Sequence, residues 1–390
     1  MRVVTIVGVL ILVAAAIGFG VGPGILEQSL NKVMEHEPYA ISDEAQTLHD
    51  SLVVGDLHTD STLWARDLTA RADRGHVDLP RLREANVALQ AFTFVTRSPK
   101  GQNYESNDAD APDNITLVAL IQRWPVVTWS SLTERALLQA RKLAAIEADD
   151  PSLLRVLRSQ EDLAAVMEAR TKGAQTIGAL LGIEGSHALE GSLDNIDRLR
   201  NAGVRMFGLH HFFDNELGGS LHGTGGGGLS DFGKDVVARL DERGAIIDVA
   251  HSSEQSVRDV LAMSDSPLVV SHTGFRGYCP TPRNISDDLM QQIALGGGLI
   301  GVGYWDAAIC KVSPKGIVEA IRYGIDLVGV DHVALGSDYD GSTTVPFDTS
   351  ELAALTEEML NQGFAEEEIR RVMGGNMLRF LQENLPLPAQ

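Results

Sequence analysis

Five of the chain's 11 histidines close short apolar runs: His58, His210, His211, His251 and His272. Carboxylates stand at equivalent places: Asp60 in Gly-Asp-Leu-His-Thr-Asp, Glu184 in Gly-Ile-Glu-Gly and Asp338 in Gly-Ser-Asp-Tyr-Asp-Gly. A lone histidine at such a place is ordinarily structural. Several that converge with carboxylates describe a metal site, because imidazole nitrogen and carboxylate oxygen, without thiolate, suit a hydrolytic zinc pair. In an extended segment residues i and i+2 point the same way, so His58 and Asp60 can grip one cation. His251 and His272, on neighbouring runs, can grip a second, and Glu184 with its two oxygens is placed to bridge. Two ions ~3.5–4 Å apart can share a hydroxide and polarise a carbonyl.

Such a set needs a scaffold that brings many strand ends to one place. The apolar runs are Leu52–Leu57, Val87–Val95, Ile177–Ile183, Val204–Leu209, Ala245–Ala250, Leu268–Ser271, Leu299–Tyr304 and His332–Gly336. Each is too short for a typical buried helix. Amphipathic segments lie between several of them: Leu153–Arg170, Asp194–Ala202, Phe232–Arg243, Ser253–Ser264 and Lys315–Val328. Eight runs alternating with helices predict an α/β (β/α)8 TIM barrel with a binuclear metal site at the C-terminal ends of its strands. An open dinucleotide-binding sheet calls for G-x-G-x-x-G after the first strand, and Gly55-Asp-Leu-His-Thr-Asp60 does not supply it. The glycine run Gly223–Gly228 does not directly follow a strand and reads as a mobile loop over the site. Polar Thr96–Asp113 and a helical stretch from about Ile115 to Arg170 make the second-to-third crossover unusually long, and Ser350–Phe380 reads as closing helices.

At 390 residues, 44% of them hydrophobic, the chain suits one barrel with insertions. A net charge of −21 without any Lys/Arg cluster excludes nucleic acid as a partner. Cys279 and Cys310 are too few for a disulfide scaffold or a thiolate zinc site, and are either two buried thiols or one bridge. Val3–Val21 is an uncharged apolar run behind Arg2. It approaches the ~20 residues that span a bilayer and reads as a signal anchor, with a cleaved signal peptide as the alternative. Either one exports the rest of the chain.

The motifs carry more when taken in order. Gly-Asp-Leu-His-Thr-Asp, Gly-Ile-Glu-Gly-Ser-His, Gly-Leu-His-His-Phe-Phe-Asp-Asn, Ile-Asp-Val-Ala-His-Ser-Ser, Val-Val-Ser-His-Thr, Arg-Asn-Ile-Ser-Asp-Asp and Gly-Ser-Asp-Tyr-Asp-Gly run from about Asp50 to Phe380. With them the chain resembles the membrane dipeptidase (renal dipeptidase) family of the metal-dependent amidohydrolase barrels. The resemblance implies a metallo-dipeptidase that binds two Zn2+ ions per chain and cleaves dipeptide substrates through a metal-bridging hydroxide. It implies His58, Asp60 and Glu184 on one zinc, and Glu184, His251 and His272 on the other. His211, rather than His210, matches the histidine that contacts substrate and stabilises the oxyanion. Arg283 matches the arginine on the substrate's terminal carboxylate, Asp338 the acid that shuttles a proton, and Tyr304 a substrate-contacting tyrosine. A Cys279–Cys310 bridge and a homodimer are implied by the same resemblance. Asp340, His187, His222 and His332 read as structural or surface residues.

Two rivals stand beside this reading. Cyclic-amide hydrolase and deaminase barrels usually open with His-x-His, and the former often bridge their metals with a carboxylated lysine, whereas this chain has His58-Thr-Asp60 and Glu184. A non-catalytic binding paralogue is opposed by the full ligand set together with Asp338. The expected organisation is residues 1–26 as the N-terminal signal anchor or signal peptide, 27–50 as a connector, and 51–385 as the catalytic barrel. The barrel is expected on the periplasmic or extracellular side of a membrane, anchored there or secreted.

Overall fold

The structure, a computed structural model, describes residues 20–387. Its centre is a ring of parallel strands: β1 (Val54–Thr59), β2 (Val87–Val95), β3 (Ile177–Glu184), β4 (Val204–Gly208), β5 (Ile246–Asp248), β6 (Val269–Thr273), β7 (Leu299–Val302) and β8 (Val333–Leu335). Each pairs with the next, β8 pairs with β1, and so the eight close into a barrel with helices outside. All eight expected runs are strands. They are largely apolar because both faces are buried, one against the barrel interior and one against helices, with polar residues such as His58, Glu184 and His272 at or near their C-terminal ends.

Alternation along the strands sorts the core into two layers. Leu89, Leu180, Met206, Ile246, Val269, Leu299 and Ala334 cluster with Met377, Phe380 and Leu381 of the last helix, Asn376–Asn384, which closes the bottom of the barrel. Their neighbours Phe92, Leu181, Phe207, Ile247, Val270, Ile300 and Val333 instead pack under helix residues such as Val237, Val260, Ile293 and Ile321. Serines open many of the outer helices. Ser131, Ser159, Ser230, Ser253 and Ser313 each accept a backbone N–H of the first turn.

Two segments differ from the sequence expectation. Leu153–Arg170 is not one helix: Leu154–Val156 is a short strand on Ile177–Ala179, and the helix begins only at Gln160 behind the Ser159 cap. Leu154 and Val156 are buried while Arg155 is partly exposed, a strand alternation too short to stand out beside the following helix. The glycine run is tied down beside the site rather than lying over it. Asp214 accepts the amides of Ser220, Thr224 and Gly225, Asp259 accepts that of Leu229, and none of Gly223–Gly228 lines the central cavity.

Ahead of the barrel, residues 20–30 are helical, Lys32–Val33 pairs in parallel with Thr344–Val345, and Asp43–Asp50 is a second helix. Among the described residues no helix is long and apolar enough to cross a membrane. Of the expected anchor, residues 1–26, residues 1–19 lie outside the described residues and residues 20–26 belong to the first described helix.

Candidate metal centre

The C-terminal strand ends form a cavity lined by Asp60, Glu184, His211, His251, His272, Arg283 and Asp338. His58 sits beneath it, fully buried. Irregular backbone re-aims several of these side chains. The pairing register of β1 shifts between Asp56 and Thr59, and that of β6 between Val270 and Thr273, as at other strand ends that carry active-site groups. His251 and Asp338 take left-handed φ values of 63° and 58°, which turn each side chain back over the barrel mouth. Gly341 leaves the space that the Asp338 carboxylate fills, since a Cβ there would overlap Asp338 Oδ1.

Nitrogens and oxygens meet at ligand spacing. His58 Nε2 lies 3.5 Å from Asp60 Oδ1 and 3.7 Å from Glu184 Oε1. Those three residues are one group whose donor atoms all lie within 4.8 Å of one another, and they are the first expected ligand set. Glu184 Oε1 is also 3.3 Å from His251 Nε2 and 3.4 Å from His272 Nε2. The two imidazole nitrogens approach to 2.8 Å, so the second expected set converges on the same carboxylate. Glu184–His211–His251 and His58–His272–Asp338 are further groups at this spacing.

The tautomers are fixed from behind. The Ser271 hydroxyl donates to Asp248 Oδ2 at 2.6 Å. Its lone pairs therefore remain to accept Nδ1–H of His272, at 2.9 Å, and of His58, at 3.2 Å. With Nδ1 committed to that hydroxyl, Nε2 is the ring atom each histidine leaves facing Glu184. One hydroxyl thus orients a histidine from each half of the centre.

These donors fit divalent cations. His58 Nε2 and Glu184 Oε2 are buried without any hydrogen-bond partner. Burial opposes protonation of His58, but Asp60, Glu184 and Asp338 outweigh it and raise the ring to about 10. Burial pushes Asp338 up to about 8; His58 opposes this rise and Asp60 adds to it. Burial likewise pushes Glu184 up, with Asp60 adding to it. Without a cation this concentration of negative charge holds protons. Two metal ions would satisfy the same lone pairs.

Arg283 is buried, donates to the His272 carbonyl at 2.8 Å and lies over the Trp305 ring at 5.3 Å. Among the described residues no carboxylate comes within 4.0 Å of it. His211 Nδ1 pairs with the Arg97 carbonyl at 3.1 Å, which leaves Nε2 turned toward Glu184 Oε2 at 3.5 Å. His210 is turned away onto Ser252 at 2.9 Å and does not line the cavity. Tyr304 is not brought to the cavity either. It is fully buried, 5.5 Å from the Tyr339 ring and 5.8 Å from Phe347. Asp340 accepts the amides of His76 and Val77 and pairs with Arg66, which pins the loop that carries Asp338.

Several lining residues escape sequence reasoning. Ser98, Gln102 and Tyr104 come from the Thr96–Asp113 insertion and Phe212 from the β4 loop. Their one signal is that Tyr104 is the only aromatic residue of a polar insertion placed just after a strand end. Asp248 and Ser271 lie inside the motifs, but nothing in the sequence distinguishes them from neighbours there. The Cys279–Cys310 bridge is present and joins the loops after β6 and β7, which carry Arg283 and Trp305.

A closed parallel barrel with this His/Asp/Glu centre at its C-terminal mouth is the architecture of a metal-dependent hydrolase. The sequence signature of the membrane dipeptidase family, peptidase family M19, matches residues 42–386, and the chain belongs to that family. It is 34% identical over 215 residues to dipeptidase aclJ of Aspergillus oryzae, a match covering 53% of this chain and 51% of that protein. It is 26% identical to dipeptidase ataJ of Aspergillus terreus, covering 79% and 77% of the two chains. Among solved structures it is similar to the probable dipeptidase PvdM from Pseudomonas aeruginosa, with TM-score 0.71, 22% identity and 88% and 98% coverage. It is also similar to a metallopeptidase from Rhodobacter sphaeroides bound to a phosphinate mimic of L-Ala-D-Ala, with TM-score 0.67, 22% identity and 85% and 99% coverage. At these identities the solved structures establish the shared fold.

Proposed function

We propose that this chain is a zinc-dependent dipeptidase, tethered by its N-terminal segment with the barrel outside the cytoplasm. The observation that carries the substrate class is Arg283. A buried guanidinium without a carboxylate partner is costly, and this one faces the cavity beside the metal-ligand cluster. The missing partner is a carboxylate supplied by the substrate, held beside the cluster, since the guanidinium lies 3.3 Å from His251 Nε2. Imidazole and carboxylate ligands without thiolate support zinc, and the Cys279–Cys310 bridge supports an oxidising compartment.

Two cations bound by His58, Asp60, Glu184, His251 and His272 would supply Lewis-acid polarisation and an acidified water. The rest falls to side chains. Arg283 fixes the terminal carboxylate, bidentate by its fork geometry. Leu63, Val95, Ile115 and Phe212 wall the cavity, exclude water and strengthen the electrostatics inside. Asp338, which lines the cavity with Oδ1 3.8 Å from His58 Nε2, takes the proton released on attack and returns it to the departing amine. His211, with Nδ1–H committed to the Arg97 carbonyl, faces the cavity through Nε2; burial lowers the ring to about 4, so Nε2 gains the proton it would donate to the oxyanion only as negative charge develops beside it.

The test is a panel of L,L- and L,D-dipeptides, their carboxyl-amidated forms and N-blocked tripeptides, run on metal-stripped and zinc-restored protein. Zinc-dependent cleavage confined to free-carboxylate dipeptides is expected. Equal turnover of amidated and free forms would remove the Arg283 assignment.

A further inference from the structure

Large apolar side chains stand exposed on one face beside the cavity mouth. Helix Asn114–Ile121 buries Ile115, Val118 and Ala119 and turns Leu117 outward, 57% exposed. The single turn Val126–Trp129 presents Val126, Val127 and Trp129, 69%, 52% and 40% exposed. Helix 20–30 lies against this segment. A Cβ on Gly22 would stand 3.9 Å from Ile121, and Leu26 packs on the cluster of Ile115, Val118 and Trp124. Its own Val21 and Ile25 are 53% and 62% exposed. Exposed apolar side chains grouped on neighbouring segments in this way mark a binding face.

The sequence indicates what covers it. The uncharged run Val3–Val21 ends on this face, and no loose linker follows. Helix 20–30 is riveted to the barrel through buried Glu27, which pairs with Arg66 at 2.6 Å and Arg74 at 2.9 Å. Asn31 accepts the Ser342 amide at 2.8 Å, and Lys32–Val33 is paired to Thr344–Val345. A membrane segment leaving the bilayer at Val21 therefore delivers the barrel to the lipid surface in one orientation.

We propose that Val21, Ile25, Leu117, Val126, Val127 and Trp129 seat the barrel on a lipid bilayer, with the cavity mouth beside the headgroups. This rests on the anchor reading of Val3–Val21. Apolar side chains capped by an interfacial tryptophan suit the headgroup–acyl boundary. Ile115 links the two functions, since it lines the cavity on the inner side of the helix whose outer side carries Leu117.

The test uses the full chain in phosphatidylcholine vesicles with brominated acyl chains. An environment-sensitive fluorophore is attached at Val127→Cys or, as control, at Leu295→Cys, an 88% exposed position just before the start of β7 at the far end of the barrel. Both native cysteines are bridged and do not compete for the label. Alkaline extraction of the vesicles reports the anchor separately. The expected result is resistance to extraction, loss of most emission at position 127 and none at position 295. Extraction-resistant protein with equal, unquenched emission at both positions would overturn the seating and leave the anchor intact. Protein released by alkali would overturn both. A concentration-dependent blue shift at position 127 in detergent, without quenching by lipid, would assign the face to a second copy of the chain instead.

Discussion

Removing the Ser271 hydroxyl isolates the device that orients the metal centre. In Ser271→Ala, Nδ1 of His58 and of His272 lose the oxygen now 3.2 Å and 2.9 Å away, and Asp248 loses a donor at 2.6 Å. Both rings are fully buried, so no solvent replaces the lost acceptor. Each ring is then free to place its proton on Nε2, which abolishes it as a ligand until the proton moves. Loss of a single orienting contact behind a metal ligand weakens metal binding ~10–100-fold, or about 1.4–2.7 kcal/mol. Here two ligands, one in each half of the centre, lose theirs together. The assay is dipeptide hydrolysis as a function of free zinc, set by a chelator buffer. The half-activating zinc concentration is expected to rise by at least ~10–100-fold, while turnover at saturating zinc falls less. A zinc-activation curve superimposable on that of the wild type would refute the proposed role of Ser271.

Other substitutions separate the remaining parts. Arg283→Met leaves the substrate carboxylate without its partner and should lower kcat/KM for free dipeptides by ~10²–10⁴, from the ~3–5 kcal/mol typical of breaking a buried charge pair; carboxyl-amidated dipeptides should show no such drop. Gly341→Ala puts a methyl group where the Asp338 carboxylate lies and 3.1 Å from Asp60 Oδ2, so turnover should collapse, and zinc affinity, read by mass spectrometry of the native protein over a zinc titration, should fall with it. Cys279→Ser with Cys310→Ser opens a loop of 31-residue separation and should cost about 3–4 kcal/mol in urea unfolding by the chain-entropy relation. Lys142, on the inner side of the long crossover helix, is pushed down by burial to about 8 from the usual 10.5. Its charge therefore opposes folding below pH 8, and the penalty fades as pH rises toward 10.5 because the folded state releases its proton first. Wild type should gain stability relative to Lys142→Met across that interval, and a flat difference between the two would contradict the shift.

The barrel was legible because its strands are buried on both faces and read as apolar runs separated by amphipathic helices. The ligand set was legible because histidine is scarce and five histidines close those runs. What stayed hidden depends on contacts between distant segments. Nothing local marks Leu154–Val156 as a strand, since its partner Ile177–Ala179 lies beyond a whole helix. Ser271 looks like any serine until Asp248 and two imidazoles surround it. Tyr304 and Trp305 are adjacent and alternate. One enters the layer of Tyr339 and Phe347 and the other packs on Arg283, and the sequence does not say which residue goes to which side. Tyr104 reaches the cavity on an insertion whose path only the folded chain reveals.

Counting zinc against activity tests the central claim most directly. Metal-stripped protein is titrated with zinc, while bound metal per chain and the rate of dipeptide cleavage are recorded together. Two ions per chain are expected, with full turnover reached only as the second site fills, and with both ions lost in Glu184→Gln. Turnover in metal-free protein, or saturation at one ion with full activity, would contradict a two-metal dipeptidase.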